Sequence, residues 1–313
     1  RGVVKGLRIF EYHYAYPHMG GHIHIGVDGP WDVHRILGTV PVRDDGSALF
    51  RVPANKPLAV QPIDENGRAV QIMRSWLTAM PGENLSCVGC HENHGTVPAG
   101  GHGLASLSEP VEIEPWYGPE RGFSFRREVQ PVLDSYCTSC HDAGSSLDLT
   151  DRPDSEGWSG FTPAYLALHP YVRRPGPESD YHIQRPGEFH ADTSELIQML
   201  EKGHYGVALD PQAWDRLVTW IDLNVPCHGT WSEHRPIPND FRQLRLAHRA
   251  AYVGDMVDLE DVPPTPAPMF EPMPSPAADP SPPPEIEGWP FGADRAAALA
   301  AELGERELSL DLG

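Results

Sequence analysis

Two short strings, each with two cysteines and a histidine, constrain this chain more than any other feature of its sequence. They read Cys-Val-Gly-Cys-His at 87–91 and Cys-Thr-Ser-Cys-His at 137–141. Covalent haem attachment needs two thiols that add to the vinyl groups, and an imidazole directly after the second thiol that can reach the iron. Both strings meet that requirement, so the sequence predicts two covalently bound haem c groups.

The predicted cofactor-binding residues are Cys87, Cys90 and His91 for the first haem and Cys137, Cys140 and His141 for the second. Paired Cys-x-x-Cys strings also occur in zinc knuckles, and zinc is a possible occupant at His91 in place of iron. A single zinc knuckle does not explain a gap of about 50 residues between the pairs or the histidine after each pair. A thioredoxin-like redox pair is disfavoured because neither string lies in a βαβ pattern.

Charge and hydropathy limit the partners. The chain has 44 acidic and 24 basic residues and a formal net charge of −20. Nucleic acid is therefore excluded as a partner, since phosphate binding needs clustered Lys and Arg. A redox partner with a basic face fits better, because opposite charge speeds encounter. No apolar run in this segment is long enough to span a bilayer.

The first part of the chain has β patterning, and its predicted domain covers residues 1–110 and carries the first haem. Apolar runs at 36–42, 48–52, 58–63 and 69–76 predict strands. Turn strings at 44–47 and 64–67 separate them into two hairpins, the second with an Asn-Gly pair typical of a type I′ turn. These hairpins predict a small antiparallel sheet or sandwich.

Helical periodicity follows, which makes the fold class α+β. The domain predicted at 120–235 is an all-α unit similar to class I cytochrome c. Its helices are indicated by apolar stripes at Val129, Val132, Leu133 and Tyr136, at Leu196, Ile197 and Leu200, and at Trp214, Leu217, Val218 and Ile221. Gly203 ends the second helix, and Asp210 with Pro211 begins the third. A helical extension at 236–261 and a Pro-rich linker with a short helix at 262–313 complete the prediction.

The class I resemblance directs attention to the loop before the closing helix. That family usually supplies a methionine there as the sixth iron ligand. Residues 201–210 contain no Met, and His204 stands in its place. We therefore expect His141 and His204 to hold the second iron, which suits electron transfer because no coordination position stays open. The alternatives are a surface role for His204 and ligation by His169, His182 or His190.

The other face of the first haem is open to several interpretations. Candidate ligands are Met80, His94, His13, His18, His22 and His24. His22 and His24 would share one face of a strand and could also bind zinc. A five-coordinate haem that accepts a small ligand is a further alternative. The fifth cysteine, Cys227, is predicted to be a buried thiol, with a metal ligand or an intermolecular bridge as alternatives.

Residues 36–48, 73–76 and 86–92 resemble the middle domain of the hydrazine synthase alpha subunit, and 129–133 and 220–224 extend the resemblance across about 1–235. In that subunit the histidine of the first string binds zinc, and a tyrosine four positions later ligates the iron. Here Gly95 occupies that position, beside His94. This departure predicts that the chain alone does not make hydrazine.

The sequence predicts a diheme c-type electron-transfer module within a larger multidomain chain. Haem c attachment occurs outside the cytoplasm, so we expect a bacterial protein of the periplasm or cell surface. The alternative is a haem enzyme that performs small nitrogen or peroxide chemistry at an open first haem, bound at Cys87 and Cys90. A third interpretation is a purely structural module, in which covalently bound haem stabilises a short domain.

Overall fold

A computed structural model describes residues 3–71, 73, 75–87, 103–152, 160–172, 189–238 and 240–270. Its four antiparallel strands are β1 (Gly6–His13), β2 (Val33–Pro41), β3 (Leu58–Ile63) and β4 (Arg121–Gly122). They lie in the order β3-β1-β2-β4. Together with the helices below, this sheet confirms the predicted α+β class.

The centre of the sheet is a strand that no hairpin signal indicated. β1 pairs with β2 along one edge and with β3 along the other. The alternation of buried apolar and exposed polar residues that marks a strand is obscured in β1, because Arg8 and Glu11 are as buried as Ile9 and Phe10. Arg8 donates to the Gln61 side chain at 2.6 Å and lies 3.7 Å from the Asp215 carboxylate, so its buried guanidinium has polar and charged partners that are distant in sequence.

The first predicted hairpin is wrong and the second forms in part, while the predicted strands 36–42 and 58–63 correspond to β2 and β3. Residues 48–52 cannot return along β2, because β1 covers one edge of that strand and β4 and Glu114 cover the other. Phe50 instead bridges Val111. The segment after the second turn returns along β3 through isolated bridges, Ala69 with Ile63 and Leu77 with Leu58. It forms no continuous strand, and the Ala69 amide donates to the Asp222 carboxylate at 2.7 Å.

The turn at 64–67 forms, but it is not type I′. Gly67 has a φ of 74°, whereas Asn66 is not among the residues with positive φ. A type I′ turn requires positive φ at both central positions. The Asp64 side chain stabilises the observed turn by accepting from the amides of Asn66 and Arg68 at 2.8 and 2.9 Å.

The α-helices of the described chain are α1 (Gln130–Tyr136), α2 (Pro163–Leu168), α3 (Glu195–Lys202), α4 (Pro211–Asp222), α5 (Trp231–His234) and α6 (Phe241–His248). The predicted apolar stripes are buried, except that Trp214 is half-buried. Pro131 lies in the first turn of α1, where its missing amide costs nothing. α2 and α5 are too short for their periodicity to indicate them.

Sheet and helices share one apolar core. Phe10, Ile36 and Ala59 of the sheet belong to the same buried cluster as the stripes of α1, α3 and α4. The division into one domain at 1–110 and another at 120–235 stays a prediction. Residues 262–270 contain no helix or strand, and the remaining tail with its predicted helix lies outside the described residues. Within the described ranges, no helix has both the length and the apolar character to cross a membrane.

Candidate functional site

Helix α1 ends at Tyr136, directly before the second string at 137–141. The Cys137 amide donates to the Leu133 carbonyl at 2.8 Å, so the helical path continues into the string. The amides of Cys140 and His141 both donate to the Cys137 carbonyl, at 3.1 and 2.9 Å. One tight turn therefore carries both thiols and the imidazole.

The two thiols of this string are free and differ in environment. Cys137 is half-buried and Cys140 is exposed. Burial raises the pKa of the Cys137 thiol to about 12, with smaller contributions from Cys140 and Asp134. Cys137 is therefore protonated at neutral pH.

The tautomer of His141 is set by a backbone group. Its Nδ1 lies 3.2 Å from the Leu147 carbonyl oxygen, which can only accept a hydrogen bond. Nδ1 therefore carries the proton, and the lone pair of Nε2 points away from that bond, as in histidines that bind metals. The Leu149 amide donates to the His141 carbonyl at 3.0 Å and holds the loop in place.

His204 lies opposite His141. It follows α3 after Gly203, whose φ of 101° ends the helix. The centroids of the two imidazole rings are 6.0 Å apart and their planes differ by 12°. Burial, and secondarily His141, lowers the pKa of His204, which keeps its ring neutral. Tyr205 packs edge-on against the His204 ring, with centroids 5.0 Å apart.

This spacing fits a metal between the rings. With metal–nitrogen bonds of about 2.0 Å and about 1.1 Å from each bonded nitrogen to its ring centre, two trans imidazoles have centroids about 6 Å apart. Half-buried Leu147, Met199, Val207 and Leu209 pack against the core from the elements that flank the pair. The residues present therefore suit an apolar cofactor held through two imidazoles.

The loop that carries His204 is anchored at its far end. Asp210 caps α4 by accepting from the Ala213 amide at 2.7 Å. Its other carboxylate oxygen accepts from the Tyr136 hydroxyl at 3.2 Å. The residue before Cys137 is thus tied to the start of α4, so the segments that carry His141 and His204 share a fixed base.

The rival ligands occupy other surroundings. His169 Nε2 lies 2.9 Å from the Val27 carbonyl oxygen, and its ring packs on Tyr165. His190 is buried and precedes a short turn at 191–193. His182 lies outside the described residues.

The first string is described only at Cys87, which is exposed. Cys90, His91, His94 and Gly95 lie outside the described residues. Met80 is exposed, and His13 is buried with its Nε2 3.1 Å from Glu260. Burial lowers the pKa of His13 well below its usual value.

The predicted strand for His22 and His24 is wrong. Residues 17–28 form successive turns, with positive φ at His18 and Gly21. His24 Nδ1 lies 2.9 Å from Nε2 of His234, and the His22 ring packs against Trp31. Across the described residues, no group of three or more His, Cys, Asp or Glu side chains is placed to hold a metal ion. Cys227 is a buried free thiol.

The comparisons with known proteins bear on the sheet and the first string. The family model of the hydrazine synthase alpha subunit middle domain matches residues 2–92. This chain is similar to the alpha subunit of hydrazine synthase. The subunit from Kuenenia stuttgartiensis is 23% identical over 189 residues, which are 42% of this chain and 23% of that protein.

A solved structure of Kuenenia stuttgartiensis hydrazine synthase has the same fold over much of the chain. It matches with a TM-score of 0.51 and 20% identity, over 72% of this chain and 39% of the solved chain. The matched region is thus less than half of either relative. The predicted resemblance is confirmed.

Sequence reasoning indicated His204 and the Asp210 cap but missed their surroundings. The Leu147 carbonyl that orients His141 has no sequence signal, because any residue supplies a carbonyl. The bond from Tyr136 to Asp210 joins residues 74 positions apart. Tyr205 could have been noted as an aromatic residue beside a candidate ligand.

Proposed function

We propose that this chain is a diheme c-type cytochrome module for electron transfer, with the second haem ligated by His141 and His204. The observation that most directly supports this proposal is the position of the His141 and His204 imidazoles, whose ring centroids are 6.0 Å apart and whose planes are nearly parallel. That arrangement supports two axial histidines, and their occupation of both positions favours relay over chemistry at the iron.

Each residue has a defined task in this proposal. Haem c, when bound, supplies a reversible one-electron couple. Cys137 and Cys140 would form its thioether bonds, and His141 would bind its iron through Nε2, with the tautomer fixed by the Leu147 carbonyl. His204 closes the opposite face and keeps small molecules away. In the first string Cys87, Cys90 and His91 take the corresponding roles, with zinc an alternative at His91.

Intact mass of the denatured protein tests haem attachment. We expect the native chain to exceed its polypeptide mass by two haems, since thioether bonds survive denaturation. Replacing Cys137 and Cys140 together by Ser should remove one haem, and so should replacing Cys87 and Cys90. Cys227→Ser is the matched control, because Cys227 is a free thiol inside the core, and it should keep both. A gain of one haem, or of zinc alone, in the native chain contradicts the proposal.

The second candidate function is a haem enzyme acting at an open first haem, and the similarity to hydrazine synthase favours it. The Gly95 position lacks the tyrosine of that relative, so we expect no hydrazine from this chain alone. The assay supplies nitric oxide, ammonium and a reductant, and then measures hydrazine. Turnover that is lost in His91→Ala would establish the enzyme. Absence of turnover, with fast reduction of both haems, supports the relay.

The proposed setting is the periplasm or cell surface of a bacterium, within a larger assembly. The relative is named as a subunit, which supports assembly with other chains. A net charge of −20 favours a basic redox partner. Reduction of the haems by a basic donor should then slow as ionic strength rises, whereas reduction by a neutral donor should not. Equal salt dependence for the two donors would contradict this choice of partner.

A further inference from the structure

The Leu147 carbonyl that orients His141 also accepts a second hydrogen bond. The His141 Nδ1 lies 3.2 Å from its oxygen, whereas the Ser145 hydroxyl oxygen lies only 2.6 Å from it. Both Ser145 and Leu147 are half-buried. The stronger donor at this carbonyl is therefore the serine, and the histidine makes the longer bond.

We propose that the Ser145 hydroxyl is a positioning group that sets the reduction potential of the second haem, by competing with His141 for the Leu147 carbonyl. This inference rests on the proposed ligation of that haem by His141. It assigns a role to a residue that lies outside the haem string and hydrogen-bonds to the Leu147 and Asp142 carbonyls.

The competition follows from the hydrogen bonds around Ser145. Its oxygen also lies 2.9 Å from the Asp142 carbonyl oxygen, but a hydroxyl has one proton to donate. The hydroxyl proton therefore goes to Leu147, where the contact is shorter.

The effect on the haem follows from ligand basicity. A strong bond from Nδ1–H to a carbonyl gives the imidazole more anionic character, which makes Nε2 a better donor to the iron. A better donor stabilises ferric iron and lowers the potential. By occupying the same carbonyl, Ser145 weakens the histidine bond and raises the potential. Removing the hydroxyl should reverse this.

Redox titration of the full chain, followed by optical spectroscopy, tests the proposal. In Ser145→Ala we expect the ferric-to-ferrous ratio of the second haem, at the wild-type midpoint potential, to rise about threefold. For a one-electron couple that change corresponds to a fall of about 28 mV. Ser145→Thr retains a hydroxyl and should restore a potential close to that of the wild type.

The matched control is Ser106→Ala. Ser106 is an exposed serine that donates to the Gly103 carbonyl at 2.7 Å, outside the haem string and its loop. Its replacement should leave both potentials unchanged. An unchanged or raised potential in Ser145→Ala, or equal shifts in the Ala and Thr variants, would overturn the role of Ser145. Absence of the second haem from the wild-type chain, seen by mass, would instead overturn the proposed function and this inference with it.

Discussion

Replacing Asp210 by Ala should destabilise the protein at the base of the proposed second haem site. The Asp210 carboxylate is buried, caps α4 through the Ala213 amide and accepts from the Tyr136 hydroxyl. Loss of an N-cap side chain costs about 1 kcal/mol, and loss of one further hydrogen bond costs about 1 kcal/mol more. We therefore expect Asp210→Ala to lower the free energy of unfolding by about 2 kcal/mol.

Urea unfolding followed by far-UV circular dichroism measures this change as a lower midpoint with an unchanged slope. Asp210→Asn is the control, because an amide oxygen caps a helix about as well as a carboxylate. It should retain at least half of the stability that Ala loses. A loss below about 0.5 kcal/mol in Asp210→Ala, or equal losses in the two variants, would refute the reasoning.

Three further predictions concern single side chains. His204→Ala should convert the second haem from low-spin to high-spin, and His204→Met should raise its potential because a thioether stabilises ferrous iron; an unchanged spectrum in His204→Ala would move the ligand to His190 or His182. Burial lowers the pKa of His34 from 6.5 to about 4, so the unfolded chain binds a proton between these values that the folded chain does not. Unfolding free energy should fall as pH drops from 6.5 towards 4, and His34→Gln should flatten the slope; equal slopes in urea titrations would contradict this. Gly122→Ala should destabilise by about 3 kcal/mol, since a Cβ there would lie 1.8 Å from the Gly229 carbonyl oxygen; wild-type thermal unfolding of this variant would be inconsistent with that contact.

The helical part of the fold could be predicted because its signals are local. The stripe that ends at Tyr136, the Gly203 terminus and the Asp210 cap each depend on residues within one or two turns of one another. The sheet could not be assembled from the same evidence. β1 hides its alternation behind Arg8 and Glu11, whose partners lie on distant segments.

The candidate site likewise contains residues that the sequence predicts and groups that only the structure identifies. Cys137, Cys140 and His141 follow from one motif, and His204 follows from its position before the closing helix. The groups that tune them do not follow, because Leu147 acts through its backbone and Ser145 acts through Leu147. Such roles depend on distances of a few tenths of an ångström, which a residue pattern does not encode.

Electron paramagnetic resonance of the oxidised second haem tests the central claim most directly. The measurement uses the variant with Cys87 and Cys90 replaced by Ser, so that the signal of one haem remains. The imidazole planes of His141 and His204 differ by only 12°. Nearly parallel planes separate the energies of the two iron d orbitals that interact with the imidazole π systems, which gives a rhombic low-spin signal. We expect that signal, and its replacement by a high-spin signal when His204→Ala is added. A high-spin signal before His204 is changed, or a low-spin signal that survives the change, would contradict ligation by His141 and His204.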